Sequence, residues 1–246
     1  MQIAEGLYAF LWDGQGHNCN SYAIRYSLDG SPRYVVIDPG KLRVLVANGT
    51  EGEKEYRGGG FDSLLGKMEA DGIRPEDVAL VIVTHAHGDH CGSAYEFSRR
   101  GARVAVHKDD AQKYLTEVMD GYQDGKPDKE DIRPDVLLTE GELLLGAPAP
   151  IHLWVIHTPG HLPGSIALWW DEKKALFSGD TVFLRRVGRT DIAGGDPKAM
   201  RSSVRRLAVL KAEYLLAGHG NSGVIVGSEE VARNFELVIR ARLPAL

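Results

Sequence analysis

The sequence predicts an α/β protein folded as a four-layer αββα sandwich, with two mixed sheets face to face and helices on both outsides. Three observations predict it. The chain opens with short segments rich in Val, Ile and Tyr, separated by turn residues. A continuous apolar run, Ala79–Val83, then leads into alternating helical and strand-like segments. The second half repeats that alternation. A length of 246 residues suits one large domain, and no low-complexity linker divides it, so residues 1–246 read as a single domain.

Taken in order, Leu7–Trp12, Ser21–Tyr26 and Arg33–Asp38 read as an antiparallel meander. Residues 41–60 are irregular and end in glycines, which fits a hairpin or flap at the rim of a cleft. Phe61, Leu64, Leu65 and Met68 have helical spacing, giving a helix over Phe61–Asp71. Ala79–Val83 is apolar throughout, as a strand covered on both faces must be. Gly92–Arg100 reads as a helix, Arg103–His107 as a strand, and Asp109–Asp120 as a helix opened by an Asp cap. Gly121–Pro134 is polar and reads as a surface loop. Ile151–His157, Ser165–Trp170 and Lys174–Ser178 follow as strands. Asp196 caps a helix over Pro197–Val209, with Pro197 at its first position. Glu213–Ala217 is a strand, and Ser228–Leu243 a closing helix.

Composition excludes several classes. A net charge of −5 argues against a nucleic-acid partner. No apolar run reaches the roughly 18 to 20 residues a membrane span needs. The opening Met1-Gln2-Ile3-Ala4-Glu5 shows no secretory leader. Cys19 and Cys91 lack a CxxC spacing and read as two unpaired thiols in a reducing, cytoplasmic setting. The expected partner is a small-molecule substrate, with no membrane and no nucleic acid, in a chain that could form a homodimer.

The chemistry concentrates in Thr84-His85-Ala86-His87-Gly88-Asp89-His90, directly after the buried strand. Neutral imidazole and carboxylate are ligands that zinc, iron and manganese accept. Asp89 and His90 are adjacent and diverge, so they can serve a second ion while His85 and His87 serve the first. Three further candidates follow later strands, each beside a glycine that lets the backbone turn: His161 in Gly160-His161, Asp180 in Gly179-Asp180, and His219 in Gly218-His219. His107, His152 and His157 sit in or near strands and read as structural, His157 alternatively as a support behind the ligands. His17 lies in a loop that could face the site, but the ligand set is already filled without it.

The HxHxDH pattern at 85–90, with His161, Asp180 and His219 downstream, resembles the metallo-β-lactamase superfamily over most of the chain. The resemblance implies an αββα fold with the site between the upper edges of the sheets. It implies that His85, His87 and His161 hold one metal, that Asp89, His90 and His219 hold a second, and that Asp180 bridges them. Within that superfamily, His157-Thr158-Pro159-Gly160-His161-Leu162-Pro163-Gly164-Ser165 and Phe177-Ser178-Gly179-Asp180-Thr181 are similar to loops of the glyoxalase II-like group. Gly188-Arg189-Thr190-Asp191, with Gly195-Asp196-Pro197, resembles its short bacterial form and also the persulfide dioxygenases. The additional C-terminal helical domain that binds glutathione in glyoxalase II is not expected here.

The expected activity is metal-dependent hydrolysis, most simply with two zinc ions and with iron or manganese as alternatives. Metal coordination lowers the pKa of water from about 15.7 to about 7, so hydroxide becomes available to attack a small activated carbonyl such as a thioester. Asp89 is the expected catalytic carboxylate, orienting the nucleophile. Two alternatives stand beside this reading: a mononuclear iron persulfide dioxygenase, and a non-enzymatic metal-binding module. Arg185, Arg186 and Arg189 follow Asp180 and are either a solvated patch or a grip on a substrate anion, with Arg189 the substrate-binding candidate. Arg201, Arg205 and Arg206 read as helix surface.

Overall fold

The computed structural model of the protein describes residues 1–14, 16–47, 54–56, 59–122, 125–220 and 223–246. Its first half holds strands β1 (Gln2–Ala4), β2 (Leu7–Phe10), β3 (Ser21–Leu28), β4 (Ser31–Ile37), β5 (Leu45–Ala47), β6 (Lys54–Tyr56), β7 (Val78–Val83), β8 (Arg103–His107) and β9 (Val136–Leu138). Helices α1 (Gly60–Ala70), α2 (Gly88–Cys91), α3 (Ala94–Ser98) and α4 (Ala111–Asp120) lie between them. The second half holds β10 (Gly141–Leu145), β11 (Ile151–His157), β12 (Ile166–Trp170), β13 (Ala175–Gly179), β14 (Val182–Phe183), β15 (Arg186–Val187), β16 (Tyr214–Ala217) and β17 (Val224–Val226). Helices α5 (Pro197–Leu207) and α6 (Ser228–Ala241) complete it.

One sheet runs β1-β2-β3-β4-β7-β8-β9, the other β10-β11-β12-β13-β16-β17. Both are mixed. In the first, β1 to β4 are antiparallel, whereas β4, β7, β8 and β9 are parallel. In the second, only β13 and β16 pair in parallel. The expected four layers are present, and alternating side chains build them. Leu80 and Ile82 of β7 face the other sheet and pack with Leu168, Phe177 and Leu216. Val81 and Val83 face outward onto Phe61, Met68, Phe97 and Tyr114 of the covering helices. Across the second sheet, Trp169, Leu176 and Leu215 meet Met200, Val204, Phe235 and Val238 of α5 and α6. Among the described residues, no helix is long and apolar enough to cross a membrane.

Several expectations need correction. Gly92–Arg100 is not one helix. Within it only Ala94–Ser98 is helical, as α3; α2 ends before it at Cys91, and between the two Ser93 Oγ donates to the carbonyls of Pro39 and Gly40 at 2.8 and 3.0 Å. Asp89 and His90 therefore sit on a one-turn helix of their own. Strands β9, β10 and β17 are short and lack a clear alternating pattern, which hid them in the sequence. In the irregular stretch, β5 pairs with β6 as a hairpin, while residues 48–53 and 57–58 lie outside the described residues. Arg205 and Arg206 are exposed as expected and Arg201 is half-buried, and two of the three make bonds at the surface. Arg201 Nε donates to Leu243 O at 3.0 Å, and Arg206 makes two 2.6 Å bonds to the Glu140 carboxylate. The Asp196 cap is as expected, accepting from Lys198 N and Ala199 N.

The predicted Asp cap at Asp109 is absent. A 3₁₀ turn over Lys108–Asp110 precedes α4, and neither acidic residue caps the helix with its side chain. Asp110 instead turns inward. Its buried carboxylate accepts from Ala86 N at 2.9 Å and from Gly164 N at 2.7 Å. It thereby ties the turn after β7 to the loop after β11, one from each sheet. Removing it strands two buried donors, each costing about 1–3 kcal/mol. Asp110→Ala should lower unfolding stability by about 2–4 kcal/mol in urea titration. A loss under about 1 kcal/mol would mean these bonds do not hold the loops together.

Candidate metal centre

Every sequence-predicted ligand emerges from the C-terminal end of a strand. His85 and His87 follow β7, and Asp89 and His90 sit on α2 just beyond. His161 follows β11, Asp180 follows β13, and His219 follows β16. Strands β11, β13 and β16 point the same way, since β12 is antiparallel to both β11 and β13 and β16 is parallel to β13. A 2.8 Å bond from Ile166 N to Thr84 O joins the two sheets at this rim. The loops thus deliver their side chains to one place.

The seven side chains meet there. His161 Nε2 lies 2.9 Å from His87 Nδ1, and His85, His87 and His161 form one tight group. His90 Nε2 lies 3.2 Å from His219 Nε2, which is 3.3 Å from Asp89 Oδ2. Asp180 stands between these groups. Its Oδ2 is 3.5 Å from His161 Nε2 and 3.4 Å from His219 Nε2, and its Oδ1 is 3.3 Å from His90 Nε2. Gly218 allows this approach, because a Cβ there would fall 2.3 Å from Asp180 Oδ1.

The donor set fits divalent cations. His85 Nε2 and Asp180 Oδ1 are buried without a hydrogen-bond partner among the described residues. Such orphaned groups are costly unless something else satisfies them. Nitrogen and carboxylate donors without thiolate suit zinc, iron or manganese. The charge balance agrees. Burial pushes the His85 imidazole well below its usual range, helped by neighbouring His90. Burial and His161 bring His87 down to about 4, so both keep a free lone pair. Burial opposes charge on His219 too, yet the Asp180 and Asp89 carboxylates outweigh it and lift it to about 9. Burial likewise opposes charge on Asp180, but His90 and His219 outweigh it and hold the carboxyl well below the usual range. The carboxylates therefore attract positive charge into the site, which protons and metal ions would compete to supply.

A second set of residues holds these candidate ligands in place, and sequence reasoning missed most of it. Asp38 is buried with a left-handed φ of 53°. Its Oδ2 accepts from His90 Nδ1 at 2.8 Å and from Thr84 Oγ1 at 2.7 Å, while Oδ1 accepts from Thr84 N at 2.7 Å. Thr84 Oγ1 in turn contacts His85 Nδ1 at 3.1 Å. His161 Nδ1 donates to Arg189 O at 2.8 Å, and His219 Nδ1 to Asn18 O at 3.1 Å. Asn20 ties the first sheet to the His219 loop by bonds to Ala217 O and Gly220 O, both 3.2 Å. The available signal for Asp38 was an acidic residue at a strand end with a turn, Pro39-Gly40, directly after it.

The site floors a cleft of about 640 Å³, walled by Trp12, Phe183, Val187 and Ile192, with Arg186 and Arg189 also lining it. The Arg189 guanidinium pairs with Asp191 at 3.0 and 3.2 Å. Arg185 is not among the residues lining the cleft, and its backbone N donates to Asn234 Oδ1 at 2.7 Å. His107 and His157 stack at 4.3 Å, and His157 Nε2 bonds Pro163 O at 2.7 Å, steadying the His161 loop. His152 pairs with Glu142 at 2.6 Å. Cys19 and Cys91 are buried and unpaired.

Asp38→Asn tests the supporting set. Asn tolerates left-handed backbone, yet it places either an N–H or a single oxygen where a carboxylate served both His90 and Thr84. The substitution should weaken metal binding about 10- to 100-fold in competition titration with a chelator. Unchanged affinity would exclude Asp38 from orienting the ligands.

A family model described as the metallo-beta-lactamase superfamily matches residues 14–219. The hydroxyacylglutathione hydrolase GloC of Haemophilus influenzae is 30% identical over 183 residues, covering 72% of this chain and 84% of the relative. A metallo-beta-lactamase family protein from Thermus thermophilus shares the fold at TM-score 0.67 and 24% identity, covering 99% of this chain and 82% of that one. TTHA1623, solved in a di-iron-bound form, aligns at TM-score 0.58 and 26% identity, over 92% of this chain and 95% of its own. The chain belongs to the metallo-beta-lactamase superfamily.

Proposed function

We propose that the protein is a binuclear metal-dependent hydrolase of small thioesters, with zinc as its metal. The observation that carries this reading is a pair of buried atoms with no hydrogen-bond partner among the described residues, His85 Nε2 and Asp180 Oδ1, inside a converged set of His and Asp donors. His85, His87 and His161 would hold one ion, Asp89, His90 and His219 the other, and Asp180 both. Bound there, the ions would supply a Lewis acid for the substrate carbonyl and acidify water to near neutral pKa. The likeness to a relative named hydroxyacylglutathione hydrolase supports a thioester as the substrate class.

The chain's own groups define the remaining tasks. Asp89 lines the cleft, from where its carboxylate would orient the attacking water. Burial pushes its pKa up, but hydrogen bonds from His17 and His219 outweigh that and hold it well below the usual range. It therefore stays ionised and accepts hydrogen bonds. Trp12, Phe183, Val187 and Ile192 offer apolar contact to an acyl group and exclude water from it. At the same cleft, Arg186 has no ion-pair partner among the described residues, whereas Arg189 is already engaged by Asp191. Arg186 is thus the guanidinium available to an anionic end of the substrate, with Arg189 contributing through the same wall.

Three outcomes are expected. Protein purified without added metal should contain two zinc ions per chain and cleave thioesters in a panel that also includes lactones, phosphodiesters and persulfides. Asp180→Ala should lose metal and turnover together; turnover retained in that variant, or one iron per chain with persulfide oxidation, would defeat the proposal. Arg186→Ala should raise KM for a carboxylate-bearing thioester about tenfold with little change in kcat, a loss of about 1.4 kcal/mol of binding. An unchanged KM would remove Arg186 from the substrate site.

A further inference from the structure

Each imidazole ligand whose second nitrogen is engaged has an identifiable partner behind it: Thr84 for His85, Asp38 for His90, the Arg189 carbonyl for His161, and the Asn18 carbonyl for His219. Asp89 also has one, and it comes from the loop that carries His17. His17 Nε2 lies 2.6 Å from Asp89 Oδ2. A carboxylate at neutral pH only accepts, so the imidazole donates. The His17 ring also stacks on His219, with centroids 4.8 Å apart and planes at 19°. Among the described residues, the Asp89 carboxylate pairs with no side chain other than these two histidines.

His17 groups with Asp89 and His219 closely enough to suggest a ligand. Its hydrogen bonding argues otherwise. His17 Nε2 is the nitrogen turned toward Asp89, and the proton it donates there leaves that atom no lone pair for an ion. The remaining role is to hold the carboxylate from the cleft side and to press His219 into place.

We infer that His17 is a positioning residue for the second metal subsite, fixing Asp89 and His219 and thereby setting that subsite's affinity for a divalent cation. The inference rests on the two-ion reading of the site. His17 reaches it from the loop between β2 and β3. That loop is closed by Trp12 Nε1 donating to Gly16 O at 3.2 Å and by Trp12 N donating to Asn20 Oδ1 at 2.9 Å. Unlike Asp38, which is buried, His17 is 71% exposed at its side chain, so it can be replaced without disturbing the core.

The test is a zinc titration of chelator-stripped protein against a competing chromophoric chelator, resolving both dissociation constants. His17→Ala should weaken the second ion about 10- to 100-fold and leave the first unchanged. His17→Gln, which keeps an N–H donor, should recover part of the loss. His152→Ala, at an exposed histidine near the start of β11, the end away from His161, controls for adventitious zinc binding and should match wild type. Circular dichroism should show all variants folded. Wild type binding two ions while His17→Ala binds both with unchanged affinity would overturn the role of His17 alone. Wild type binding no second ion would overturn both this inference and the two-ion reading.

Discussion

The structure turns on an electrostatic conflict at one rim. His and Asp donors point their lone pairs toward a shared space, where each carboxylate and imidazole repels its like unless positive charge lies between them. His85 Nε2 and Asp180 Oδ1 show the conflict most directly, being buried with no hydrogen-bond partner among the described residues. Around them the fold is arranged to keep the donors from escaping. Asp38 holds His90, backbone carbonyls hold His161 and His219, and Asp110 ties the turn that carries His85 and His87 to the loop that carries His161. Rigidity of this kind lets a site bind an ion without first having to assemble itself.

The sandwich explains how residues so far apart in sequence arrive together. Parallel β4, β7 and β8 end at the same edge as β11, β13 and β16. Side chains within these strands are committed to the three apolar layers. Only residues beyond the strand ends are free to carry polar chemistry, and each ligand occupies such a position. The cleft beside them adds apolar walls and a guanidinium without ion pairing among the described residues, features that bear on substrate rather than on metal.

Much of this was legible in the sequence, for local reasons. His85, His87, Asp89 and His90 are nearly contiguous, and His161, Asp180 and His219 each follow a strand and a glycine. The apolar run before His85 marked a strand covered on both faces, and β7 is one. What stayed hidden depends on pairing between distant segments. Asp38 read as the end of a strand because its role needs β4 beside β7, a parallel pairing that no local pattern reveals. His17 read as a loop residue, since its path to Asp89 is set by Asn20, whose N donates to Gly218 O at 2.7 Å. Asp109 and Asp110 had the composition of a helix cap, but two unsatisfied N–H groups across the rim claimed the Asp110 carboxylate instead.

The central claim is that the converged donors enclose two cations. Anomalous diffraction from crystals of the untreated protein, collected on both sides of the zinc absorption edge, measures this directly. The account predicts two peaks, one among His85, His87 and His161, the other among Asp89, His90 and His219, with Asp180 touching both. No peak at the site, or a single peak beside Asp180 with the second group of ligands turned away, would contradict it.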